Sequence, residues 1–146
     1  MRVYFDTCTL QRPLDDRSQS RVFLEAEAIL ALLGLCDQGV IRLVTSDIVE
    51  YETDNNPHQQ KKAFVEKIAR QATEHITITG EIEQLAQTYE QFGVKAIDAL
   101  HLASAETVGV DYFCTCDDRF YRRAAQLQQL TLKVRMPLEL AQEVIL

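Results

Sequence analysis

Hydrophobic positions along the chain switch between two periods. Arg2–Phe5, R-V-Y-F, is a short β-branched and aromatic run that predicts a strand. It stops at Asp6, followed by T-C-T-L and a loop containing R-P-L-D-D, Arg12–Asp16. Ser18 or Ser20 then offers an N-cap. Val22, Ala26, Ile29, Leu30, Leu33 and Cys36 repeat at helical spacing up to Gly39, a C-terminal stop. Ile41–Thr45 predicts a second strand, and Ser46 caps a short helix carrying Glu50 and Glu52. Asn56-Pro57 opens another helix with proline at its first position, its core face made of Ala63, Phe64, Ile68 and Ala72. His75–Ile78 predicts a third strand, and Thr79 caps a helix running to Phe92 and Gly93. Val94–Glu106 is a helix stopping near Gly109, and Tyr112–Cys116 a fourth strand ending at Asp117-Asp118. Arg119–Gln128 predicts a helix, Thr131–Val134 a last strand, and Pro137 the start of a helical tail.

Strands that alternate with helices predict an α/β architecture with a mostly parallel sheet. There is no internal repeat, low-complexity segment or linker, so residues 1–146 read as a single domain. In such sheets ligands bind beyond the carboxyl ends of the strands, where the strand order reverses. Asp6 and Asp117 both sit at strand ends of that kind. Between them in sequence lies Val94–Glu106, apolar on nearly every side and therefore a buried helix, with Asp98 in its middle. A buried carboxylate needs a partner, and no Lys or Arg sits one turn inward to supply it. Glu52 shares a helix face with Ile48 and Val49, so it turns inward; Glu50 lines up with Ser46, Asp47 and Asp54 and is held in reserve.

Composition changes the picture little. The chain is long enough for a sizeable core, and its longest apolar run, Ala28–Cys36, is too short to cross a bilayer. The start M-R-V-Y-F-D has an acid where a secretory leader needs an apolar core. A cytoplasmic protein without membrane attachment, its four cysteines reduced, is the expectation. The net charge of −7 argues against nucleic-acid binding. That argument weakens if an acidic cluster holds a metal while basic patches elsewhere grip phosphates.

Three or four converging carboxylates suit a hard cation such as Mg²⁺ or Mn²⁺. A metal there equips a site for phosphodiester hydrolysis. The pieces F-D-T at Phe5–Thr7, S-D-I-V-E-Y-E at Ser46–Glu52, D-A-L-H-L-A-S-A at Asp98–Ala105 and T-C-D-D-R-F at Thr115–Phe120 resemble the PIN domain, in particular the VapC-like toxins of bacterial toxin–antitoxin pairs. The resemblance runs from Val3 to Pro137. It implies a three-layer fold around a five-stranded parallel sheet of order 3-2-1-4-5, and a Mg²⁺- or Mn²⁺-dependent ribonuclease site. It carries the family's acids, as catalytic and metal-binding residues, onto Asp6, Glu52, Asp98 and Asp117, and its site threonine onto Thr115. It also implies an RNA substrate, a homodimer and an antitoxin partner. The family often has Asn or Ser two residues after the first Asp, where this chain has Cys8.

Other residues carry blander readings. His101, one turn after Asp98, reads as a half-buried helix-face histidine with a local hydrogen bond. Cys114 and Cys116 read as small buried hydrophobes, with Cys8 near them, because their spacing suits no zinc loop. Arg119, Arg122 and Arg123 fit RNA phosphates or a solvated face equally well. Asp15, Asp16, Asp47 and Asp118 read as turn or cap residues, and R-P-L-D-D has no assigned role. Two further function classes compete with the endonuclease. A PIN-like module without activity would bind but not cut. A signalling receiver domain would need an Asp after the third strand, where Thr77-Ile78-Thr79 stands instead.

Overall fold

Val3, Tyr4 and Phe5 have no exposed surface and form the middle of the central strand. The computed structural model describes residues 1–146. Its strands are β1 (Arg2–Phe5), β2 (Arg42–Ser46), β3 (Glu74–Ile76), β4 (Tyr112–Cys114) and β5 (Lys133–Arg135). All are parallel, in the order β3-β2-β1-β4-β5. The chain builds outward from β1 to β3, then returns to lay β4 on the other side of β1. The reversal therefore lies between β1 and β4, where Phe5 pairs with Cys114. The strands are three to five residues long, so most of the expected ones shrink by a residue or two.

The helices are α1 (Thr7–Gln11), α2 (Ser20–Asp37), α3 (Asp47–Asp54), α4 (Gln59–Arg70), α5 (Gly80–Gln91), α6 (Ala96–Val108), α7 (Asp118–Ala125) and α8 (Pro137–Ile145). They cover both faces of the sheet. Tyr4 meets α6 through His101, while Thr45, one residue further along the pleat, shares a cleft with Val65 and Ala69 of α4. Tyr4 also stacks on Phe113, which stacks on Phe120 of α7, with centroids 5.1 and 5.2 Å apart. Gly109 ends α6 at φ 74°, a left-handed conformation that favours glycine. No helix is long and apolar enough to cross a membrane.

Several elements depart from the expectation for physical reasons. The segment after Asp6 is not a loop but α1 followed by a 3-10 turn, Arg12–Leu14. That turn gives R-P-L-D-D a structural role. Arg12 pairs with Asp15 at 2.9 Å and with the buried Glu25 at 3.3 Å, and Lys61 of α4 reaches Asp15 at 2.7 Å. Glu25, held to that turn by Arg12, fixes the rotation of α2 and also pairs with Arg21 of its own helix. Its buried face is Glu25, Ala26, Ala28, Ile29 and Leu32, so Leu30 is exposed. Gln19, rather than a serine, occupies the N-cap of that helix. Helix α4 starts later than Pro57 implies, because His58 caps it by accepting the Lys61 N–H; its buried residues are Val65 and Ile68. Helix α6 begins at Ala96, which moves Asp98 from the expected middle of the helix into its first turn.

Candidate active site

The site is built at the carboxyl end of β1. Asp6 follows the strand directly and caps α1 by accepting the Thr9 N–H at 3.2 Å. The Thr9 hydroxyl donates to the same Oδ1, and Thr115, just past β4, donates to Oδ2 at 2.7 Å. Thr9 Oγ1 in turn accepts the Cys116 N–H at 3.0 Å, and Thr115 Oγ1 accepts the Asp117 N–H at 3.1 Å. Two buried hydroxyls thus tie the end of β1 to the end of β4. Thr9 was not legible as a site residue from motif alone. The available signal was an Asp at an N-cap with a Thr three residues later, whose N–H such a cap engages. Cys8, where the motif resemblance leads one to expect Asn or Ser, points its thiol at Asp6 Oδ1 at 3.4 Å.

Glu52 reaches the crevice from α3. Its Oε1 accepts from Thr7 at 2.6 Å and from His101 Nε2 at 2.6 Å. Glu50, two residues earlier, faces away and is exposed. His101 is fully buried rather than half-buried, and its bonds are long-range rather than local. Its Nδ1 lies 2.5 Å from the Tyr4 hydroxyl, which lies 2.7 Å from Ser46 Oγ. Ser46 Oγ accepts the N–H groups of Ile48 and Val49 as the cap of α3. An ionised carboxylate only accepts, so the His101 Nε2–H donates to Glu52. Burial pushes the Glu52 carboxyl up, but the His101 and Thr7 hydrogen bonds outweigh it and leave it below its usual range.

Asp117 caps α7, its Oδ1 accepting from Arg119 N–H at 2.9 Å and Phe120 N–H at 3.1 Å. Asp117 and Asp98 line one small cavity together with Lys95, Arg119 and Arg123. The Arg123 guanidinium lies against Gly93, where a Cβ would meet it at 3.2 Å. Arg122 is exposed. Asp98 differs from the other three acids. Burial and the charges of Asp6, Asp117 and Glu52 raise it to about 6, only His101 opposes them, and no hydrogen bond offsets them.

The structure therefore brings Asp6, Glu52, Asp98, Asp117 and Thr115 to one end of the sheet. It does not clasp the four acids into a tight trio. The grouping with ligand atoms within 4.8 Å of one another is Asp47, Glu50 and His75, where the start of α3 meets the edge strand β3. There Asp47, read from the sequence as a turn or cap residue, accepts from His75 at 2.6 Å and from the Ile78 N–H at 2.9 Å, which holds it below its usual range. Asp118 likewise is no bare turn residue, since Arg21 grips it with two bonds of 2.6 Å.

Comparison with known proteins adds family and fold. The family description "PIN domain" matches residues 3–126. No curated protein matches the chain. Among solved structures 13 chains match. One belongs to the crystal structure of VapBC2 from Rickettsia felis bound to a DNA fragment from their promoter. It is similar at a TM-score of 0.61 with 15% identity, over 93% of this chain and 98% of that one, a likeness of fold.

The raised Asp98 makes stability depend on pH. Folded, its carboxyl keeps a proton up to about 6; unfolded, it loses it near about 3.9. The native state binds more protons between those values, so this contribution is present below pH ~4 and lost as pH rises through ~6. Asp98→Asn carries no such loss. In chelator, the melting temperature of the parent should fall relative to the variant between about pH 4 and 6. Parallel curves across that range would contradict the coupling.

Proposed function

The chain belongs to the PIN domain family, and on that footing we propose that it is a Mg²⁺- or Mn²⁺-dependent endoribonuclease, the toxin half of a toxin–antitoxin pair. The observation that carries this reading is the electrostatic state of Asp98. Burial and, after it, three other carboxylates raise its affinity for a proton, and no protein donor compensates them. Such a position favours any cation, and carboxylate oxygens select hard ones. The donor set fits a divalent ion that keeps part of its water shell, because the four acids do not close on each other. Asp98, Asp6 and Asp117 would hold it, with Glu52 directly or through water. When bound, the ion lowers the pKa of a water and offsets charge on a phosphoryl group.

The chain's own residues then have distinct tasks. Thr9 and Thr115 fix both oxygens of Asp6. Thr7 and His101 fix one oxygen of Glu52, which leaves Oε2 to meet the metal directly or through its water. Arg119, Arg123 and Lys95 bring positive charge to the rim beside Asp98 and Asp117, where a phosphodiester backbone needs it. This locates the basic patch that a net charge of −7 obscures. The fold likeness to the VapBC2 chain and the motif resemblance to VapC-like toxins lead to the antitoxin partner. Its Arg or Lys would meet the acids in place of the metal. Exposed Phe23, Leu24 and Leu30 on α2 offer an apolar face for a homodimer.

Cleavage of RNA should require Mg²⁺ or Mn²⁺ and stop with excess chelator. Asp98→Asn should lower it by a factor on the order of a hundred or more while remaining folded. Full cleavage in chelator, or by the variant, would defeat the metal mechanism. Light scattering at tens of micromolar, on the order of concentrations that reveal moderate interfaces, should give twice the monomer mass. A monomer throughout would remove the dimer.

A further inference from the structure

Two cysteines frame the acid that anchors the crevice. Cys8 is exposed on α1, and Cys116 is buried in the segment joining β4 to α7. Their Sγ atoms lie 3.9 Å apart across 108 residues of sequence. Both belong to the shell around Asp6. The Cys8 thiol donates to Asp6 Oδ1 at 3.4 Å, and the Cys116 N–H binds Thr9 Oγ1, which itself donates to that oxygen. The other cysteines, Cys36 and Cys114, enter none of these contacts.

We propose that Cys8 and Cys116 are a thiol-oxidation site that takes a two-electron oxidant of the peroxide class, and that their disulfide disables the acid crevice. The consequence for the crevice rests on the nuclease reading; the modification does not. Exposure makes Cys8 the sulfur that meets the oxidant. The Cys8 sulfur gives up its proton as it attacks a peroxide oxygen, the O–O bond breaks, and Cys8 becomes a sulfenic acid as the departing hydroxide takes that proton and leaves as water. The Cys116 sulfur then attacks the Cys8 sulfur. The S–S bond forms, the S–O bond breaks, and the departing hydroxide leaves as water with the Cys116 proton. Both sulfurs are oxidised by one electron each, and one peroxide is reduced to two waters.

The geometry says what closure does. A disulfide needs sulfurs about 2.05 Å apart, so the two must approach by roughly 2 Å. Rotation of the exposed Cys8 side chain supplies part of that movement and takes its S–H donor away from Asp6. The remainder draws the segment carrying Thr115, Cys116 and Asp117 toward α1. That segment supplies the bond to Asp6 Oδ2 and the capping acid of α7. Oxidation thus removes one donor from Asp6 and shifts Asp117 relative to Asp98. Site geometry of this kind tolerates little displacement.

The test is peroxide treatment of the native full chain. After it, denatured protein should show two free thiols instead of four and a mass lower by about 2 Da, with a peptide linking Cys8 to Cys116. RNA cleavage in Mn²⁺ should fall at least about tenfold, a modest part of what such site displacements cost, and return with dithiothreitol. Cys36→Ser should behave as the parent. Cys8→Ser should give no linked peptide and the same cleavage rate before and after peroxide. Both thiols remaining alkylatable, or a Cys8–Cys116 link that leaves the rate unchanged, would overturn the proposal. A reduced parent that cuts no RNA would sink the nuclease reading instead. The link itself would still be decided by peptide mapping, and its effect on the crevice by a smaller Mn²⁺-induced rise in melting temperature after oxidation.

Discussion

Like charges in a crevice partly withdrawn from water are the constraint around which this structure is arranged. Each buried carboxylate loses hydration, and each raises the free energy of ionising the next. The fold answers this acid by acid. Asp6 receives two threonine hydroxyls and a backbone N–H. Glu52 receives a threonine and a histidine. Asp117 receives two N–H groups at the start of α7. Asp98 sits in the first turn of α6, where the helix dipole favours an anion, yet it has no donor and carries the accumulated repulsion. Three of the four acids lie at helix N-termini, so the backbone itself offsets part of the cost.

Chain topology makes this arrangement possible. The reversal between β1 and β4 leaves a crevice at their carboxyl ends, and the residues directly after each strand fall into it. Helix α3 reaches the same place from the next strand over, and α6 from the layer beneath. The bond chain Ser46–Tyr4–His101–Glu52 then runs from the capped end of α3 through the core to the crevice. The orientation of Glu52 therefore depends on a tyrosine in the central strand, one of the most buried side chains in the protein.

Much of this was legible in the chain, and the failures have identifiable causes. The alternation of strands and helices and the inward turn of Glu52 relative to Glu50 follow from local pattern, while the sheet order comes only from the motif resemblance. Periodicity did not fix α2, because that helix is apolar on more than one face and its rotation is set by Glu25 pairing with Arg12. It missed α1, because five residues hold too little pattern. His101 reads as an ordinary helix-face residue because its partners, Tyr4 and Glu52, are 97 and 49 residues away. The same distance hides the approach of Cys8 to Cys116. Thr9 escaped because a threonine near an N-cap is common, and only the turn of β4 toward it gives it a second partner.

The most direct test of the account is the titration of the Asp98 side-chain carboxyl by ¹³C NMR, with and without Mg²⁺. Without metal its apparent pKa should lie near about 6, as burial and the charges of Asp6, Asp117 and Glu52 require. Saturating Mg²⁺ should bring it below the ordinary carboxylate value of about 3.9, because a bound cation reverses the sign of the local field. An Asp98 that titrates near 6 with or without Mg²⁺, or near 4 in both, would contradict the claim that these acids form one coupled site awaiting a cation.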